Sequence, residues 1–187
     1  MNHFLNTFLN SLTLLIEHVP TAIGVIAVLW LIHVLNWCCR YRLNILGIYP
    51  RNVWGLIGIL FSPMLHKDFR HLFLNSIPLF ILLSFIFLYG TVMVIQLTLV
   101  IVLFSGMGIW LFGRKGIHIG ASAVVMGYFG FILAVAIRTH LILPMVIAAV
   151  CVFYLGSLFG SLFPTKKAVS WEGHLAGFLA GIGFVFF

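Results

Sequence analysis

Three short polar clusters interrupt an otherwise apolar chain, and their residue types are the parts of nucleophilic acyl transfer. The first is His66, His71 and Asn75; the last two are four residues apart, so a helix starting there puts both on one face. The second, Gly120-Ala121-Ser122-Ala123, offers a hydroxyl at the start of an apolar run. The third is Trp171-Glu172-Gly173-His174-Leu175-Ala176-Gly177, an imidazole on a segment where Gly173, Gly177 and Gly181 recur every fourth residue. Singly, each has a structural reading: loop hydrogen bonds, helix-packing glue, and a small-residue stripe beside an interfacial histidine. Together they supply a nucleophile, a base and two side-chain donors for an oxyanion.

Such clusters need elements that hold them at one depth. Of the 187 residues 63% are hydrophobic and 7% charged, against about 25% charged in a soluble domain. That balance excludes a soluble enzyme, a disordered segment and a disulfide scaffold, and implies an integral membrane protein. The net charge of +7 does not point to nucleic acid, because the basic residues lie in short gaps between apolar runs. They read instead as anchors for helix ends at lipid headgroups.

Charge is expensive in hydrocarbon, so charge-free stretches mark the spans. Residues 71 to 113 are about twice the ~20 residues one crossing needs, so they must turn, at Tyr89-Gly90-Thr91. The expected fold is all-α, with six transmembrane helices at 19 to 37, 71 to 89, 92 to 112, 120 to 137, 141 to 162 and 171 to 187. The starts of the second, fourth and sixth then share one membrane face, as the three clusters require.

Residues 52 to 66 are apolar but too short to span and are broken by Gly55, Gly58 and Pro63, so 38 to 70 reads as a half-embedded loop between the first two helices. Residues 1 to 18 read as an interfacial lead-in or an extension of the first helix, and 19 to 187 as a single membrane domain. The first twenty residues lack the basic start and small-residue cleavage site of a signal peptide. Cys38, Cys39 and Cys151 show neither disulfide nor metal-ligand spacing, and no cofactor is expected. His3, His18, His33 and His140 are expected at interfaces.

The motifs resemble those of the rhomboid intramembrane serine proteases. The likeness runs from about Gly47 to Gly181: Ile48-Tyr49-Pro50-Arg51 with Gly55-Leu56-Ile57-Gly58-Ile59 in the loop, His66 with His71-Leu-Phe-Leu-Asn75 and Pro78-Leu79, then His118-Ile119-Gly120-Ala121-Ser122, then Ser170-Trp171-Glu172-Gly173-His174-Leu175-Ala176-Gly177. The resemblance implies that Ser122 is the nucleophile, His174 the base, and His71 and Asn75 the oxyanion-hole donors. His66, Gly120, Met126, Gly173, Gly177 and Gly181 support them. Two positions depart from the family pattern: Ala123 stands where glycine is frequent, and Met126 where an aromatic residue is.

The implied activity is cleavage of other proteins' transmembrane segments near small, helix-weakening residues, by a Ser-His dyad. Glu172, two residues before His174 on a helix, points away from it, which argues against a triad. Gly173, Gly177 and Gly181 are expected to pack on Ala123, Gly127 and Gly130. Two other functions compete: a non-catalytic relative that binds client helices, which predicts loss of Ser122 or His174, and a haem or metal carrier, which needs facing histidines at matched depth. The implied setting is a bacterial inner membrane, in multi-pass form. A cytoplasmic N-terminus, as the resemblance implies, leaves Arg138 alone among the ten basic residues on the cytoplasmic side, the reverse of the positive-inside rule.

Overall fold

The computed structural model describes residues 2–155, 162–163 and 170–186. The chain is all-helical: α1 (Asn2–Cys38), a one-turn α2 (Gly58–Phe61), α3 (Phe69–Ile86), α4 (Thr91–Phe112), α5 (Ser122–Thr139), α6 (Ile142–Leu155) and α7 (Trp171–Phe184). Of these, α1, α3, α4 and α5 are long and apolar enough to cross a bilayer. Among the described residues the shorter α6 and α7 follow them, in the order the apolar runs dictate. Residues 156 to 161 of the expected fifth span lie outside the described residues.

Several hydroxyl and indole groups of the helices find partners within the protein, as an apolar solvent demands. Ser76 and Ser84 hydroxyls donate to the carbonyls of Leu72 and Phe80, one turn back in α3. Trp30 of α1 donates to Ser76 of α3, and Thr98 of α4 meets the Tyr128 hydroxyl of α5 at 2.5 Å. Gly90, at φ +95°, reverses the chain between a short 3-10 turn after α3 and the start of α4. Its positive φ is the conformation glycine tolerates.

Between α1 and α3 the chain folds into 3-10 turns at Arg42–Leu46, Val53–Leu56 and Ser62–Met64, with α2 among them. This segment is stitched to the one before α5: Ile48 and His118 exchange both backbone hydrogen bonds, and Gly120 N–H donates to Ser62 O at 2.8 Å. The loop is thus a floor under the start of α5.

Helix α5 is the centre of the molecule, buried along most of its length against α3, α4, α6 and α7. Its tightest neighbour is α7. A Cβ at Gly177 or Gly181 would collide with the carbonyls of Ala123 or Gly127, and one at Gly130 with that of Phe178. Only glycine lets the two backbones approach so closely. Gly177 on Ala123 and Gly181 on Gly127 follow the expected stripe, and Gly173 departs from it. Gly173 meets Ile109 of α4, and the open side of Gly127 is filled by Ile101 of α4. The reason is that α7 lies in the groove between α4 and α5 and so presents glycines to both. At the far end Arg138 donates to Val185 O and its guanidinium lies 5.6 Å from the Phe186 ring centre.

Candidate active site

Ser122 is the first residue of α5, and His174 lies one turn into α7. The glycine contacts between these helices bring His174 Nε2 to 2.8 Å from Ser122 Oγ. That is hydrogen-bond distance for proton transfer from hydroxyl to imidazole. At the start of α5 the first turn's N–H groups have no intrahelical acceptor, and the helix dipole favours negative charge there.

His71 and Asn75 come from the first two turns of α3. Asp68 caps that helix by accepting from His71 N–H at 2.7 Å, which fixes where His71 leaves the backbone. Both side chains lie over Gly120: a Cβ there would sit 2.7 Å from His71 Cε1, 3.0 Å from its Nε2 and 3.7 Å from Asn75 Nδ2. Gly120 has φ +124°, so any other residue would be strained and would also push against the His71 ring. One Asn75 amide proton goes to His71 O at 3.1 Å. The Asn75 amide carries a second proton.

His66 lies in the connecting segment outside the spans and is fully buried. Its Nε2 accepts from Ala121 N–H at 3.5 Å, holding the residue before Ser122. Burial pushes its pKa down to about 3, with His71 and His33 acting in the same direction. His33 departs from the interfacial expectation: it is 1% exposed, packed on Phe69, Tyr41 and His66. The reason is that α1 leans on the loop floor, which covers this end of the helix. Met126 is buried in the core beneath the site.

Glu172 is turned to Arg114, with Oε1 3.2 Å from the guanidinium Nε. Ser122, His174, His71 and Asn75 share a cavity of about 710 Å3 with Ser62, Ser105, Lys67 and the 114–120 segment. Its lining is largely apolar, but the polar groups of Ser62, Lys67, Ser105 and His118 open onto it beside the hydroxyl. Among the described residues no group of three His, Cys, Asp or Glu side chains is arranged to hold a metal ion.

Sequence reasoning gave no role to Asp68, Arg114, His118 or Ser170. Asp68 carries a readable signal, an aspartate just before an apolar helical run. The other three are brought together only by tertiary contacts.

A family model described as Rhomboid domain matches residues 50–187. The chain belongs to the rhomboid family. It is an integral membrane protein of multi-span helical fold, and the rhomboid match covers every site residue above. An uncharacterized protein of Mycobacterium tuberculosis is 33% identical over 87% of this rhomboid and 71% of its own length. One of Mycobacterium leprae is 31% identical over 87% of this rhomboid and 68% of its own length.

Proposed function

We propose that this rhomboid is an intramembrane serine endopeptidase that hydrolyses peptide bonds in or near the transmembrane segments of other membrane proteins. The observation that carries the reading is the 2.8 Å approach of His174 Nε2 to Ser122 Oγ in the lining of a shared cavity. In the first step Ser122 gives its proton to His174 Nε2 as Oγ bonds to the scissile carbonyl carbon. His71 and Asn75 donate to the oxygen that becomes negative. The proton on His174 then passes to the leaving amine, and an acyl group remains on Ser122. Water from the cavity, deprotonated by His174, releases that acyl group and restores the hydroxyl.

A substrate helix must expose its backbone carbonyl to Oγ, so segments with small, helix-weakening residues near the cut are the fitting class. The mycobacterial relatives are bacterial, which supports a plasma membrane setting for the multi-pass chain. The test is fluorophosphonate labelling of the purified protein. Wild type reacts and Ser122→Ala does not. Equal labelling of the two sinks the reading in favour of a non-catalytic binder of client helices.

A further inference from the structure

The cavity holds a second Ser-His pair. His118 Nδ1 lies 2.8 Å from Ser170 Oγ, and the two residues are 52 apart in sequence, the same distance and separation as in the Ser122–His174 pair. His118 is four residues before Ser122 and Ser170 four before His174. The starts of α5 and α7 therefore meet twice, with the serine and histidine exchanged between them.

We propose that the His118–Ser170 hydrogen bond is a positioning latch that sets the register of α7 on α5 and thereby the Ser122–His174 distance; this rests on the protease reading of that pair. His118 is held on its far side, where Nε2 lies 2.8 Å from Arg114 O. A carbonyl only accepts, so Nε2 carries a proton and Nδ1 is left to pair with the Ser170 hydroxyl. The His118 backbone is fixed too, exchanging hydrogen bonds of 2.9 and 3.0 Å with buried Ile48. The latch thus grips α7 from the loop floor.

Ser170 occupies the N-cap position of α7, yet its side chain makes no capping hydrogen bond to the helix. A serine there ordinarily accepts from the first-turn N–H groups. Here the hydroxyl goes to the neighbouring segment instead, which ties the helix start to another element. Arg114–Glu172 joins the same two stretches beside it. One residue of slide along a helix is about 1.5 Å, enough to carry imidazole out of reach of hydroxyl. The latch guards against that displacement.

The test uses the full chain in detergent, with Ser170→Ala, Ser170→Thr and His118→Phe. Three readouts are taken: the rate of fluorophosphonate labelling at Ser122, the kcat and KM for a transmembrane substrate, and the 15N signals of the His174 ring. A misplacement near 1 Å can cost about 100-fold in rate. Ser170→Ala and His118→Phe are therefore expected to slow labelling and lower kcat by roughly 10- to 100-fold, with KM unchanged and the His174 Nε2 signal moved. Ser170→Thr, which keeps the hydroxyl, restores all three. Wild-type labelling by Ser170→Ala, failure of threonine to rescue, or a label found on Ser170 rather than Ser122 overturns the latch. Should wild type itself not label, the protease reading falls and the His174 signal alone decides: moved by Ser170→Ala it upholds the latch, unmoved it overturns it.

Discussion

Glu172 Oε1 lies 3.2 Å from Arg114 Nε, so the only carboxylate beside the base in sequence is engaged by a different partner. Helical geometry turns residues two apart to different sides. Glu172→Gln keeps an oxygen for Arg114 and is expected to leave cleavage within a few-fold of wild type. His174→Ala should abolish it, as should Ser122→Ala, and the double variant should be no worse, since nucleophile and base act as a unit. Cleavage of a model transmembrane substrate measures all four. A Glu172→Gln loss as deep as that of His174→Ala would make the site a triad.

Asn75 has one amide proton on His71 O. If the other serves the oxyanion, Asn75→Ala should lower kcat by about 100- to 1,000-fold while Ser122 still reacts with a fluorophosphonate. A wild-type rate would reduce Asn75 to a helix-internal hydrogen bond.

Glycine at 181 is a matter of space. A Cβ there meets the Gly127 backbone, and backbone cannot rotate away as a side chain can. Gly181→Val is expected to destabilise the protein by about 2 kcal/mol or more, read as a lowered Tm in detergent. Gly24 of α1 has nothing within 4 Å of a Cβ. There Gly24→Ala should hold or raise the Tm, since alanine is the better helix former by about 1 kcal/mol.

His66 makes stability depend on pH. Its pKa is pushed down to about 3 in the folded protein, chiefly by burial, against an ordinary value near 6.5. Below pH ~6.5 the unfolded chain takes up a proton that the folded one refuses. The folded state therefore loses stability as pH falls from about 6.5 toward 3, by about 1.4 kcal/mol per pH unit at most, and keeps it in full above that window. The Tm in detergent should drop between pH 7 and pH 5. His66→Gln should flatten the slope; an unchanged slope would assign it to other groups.

The amino-acid sequence by itself determined where the long apolar helices lie, because hydrocarbon rejects charge and the ten basic and three acidic residues mark where the chain must leave it. The turn at Gly90 followed from length, and the candidate nucleophile, base and donors from residue types that apolar helices rarely carry. Side-chain facing was not legible in the same way. These helices are apolar all round, so no periodicity says which side turns inward, and helix rotation is settled by packing. Only the tertiary structure decided that Gly127 opens toward Ile101, that Gly173 meets Ile109, and that His33 is buried. The same holds for the contacts that span 52 or more residues, Ser122 with His174, His118 with Ser170 and Glu172 with Arg114. Each depends on how far α7 slides and turns in the groove between α4 and α5. Close approach of backbones at Gly130, Gly177 and Gly181 fixes how near α7 lies to α5, and it is a property of the packed helices together, not of any one of their sequences.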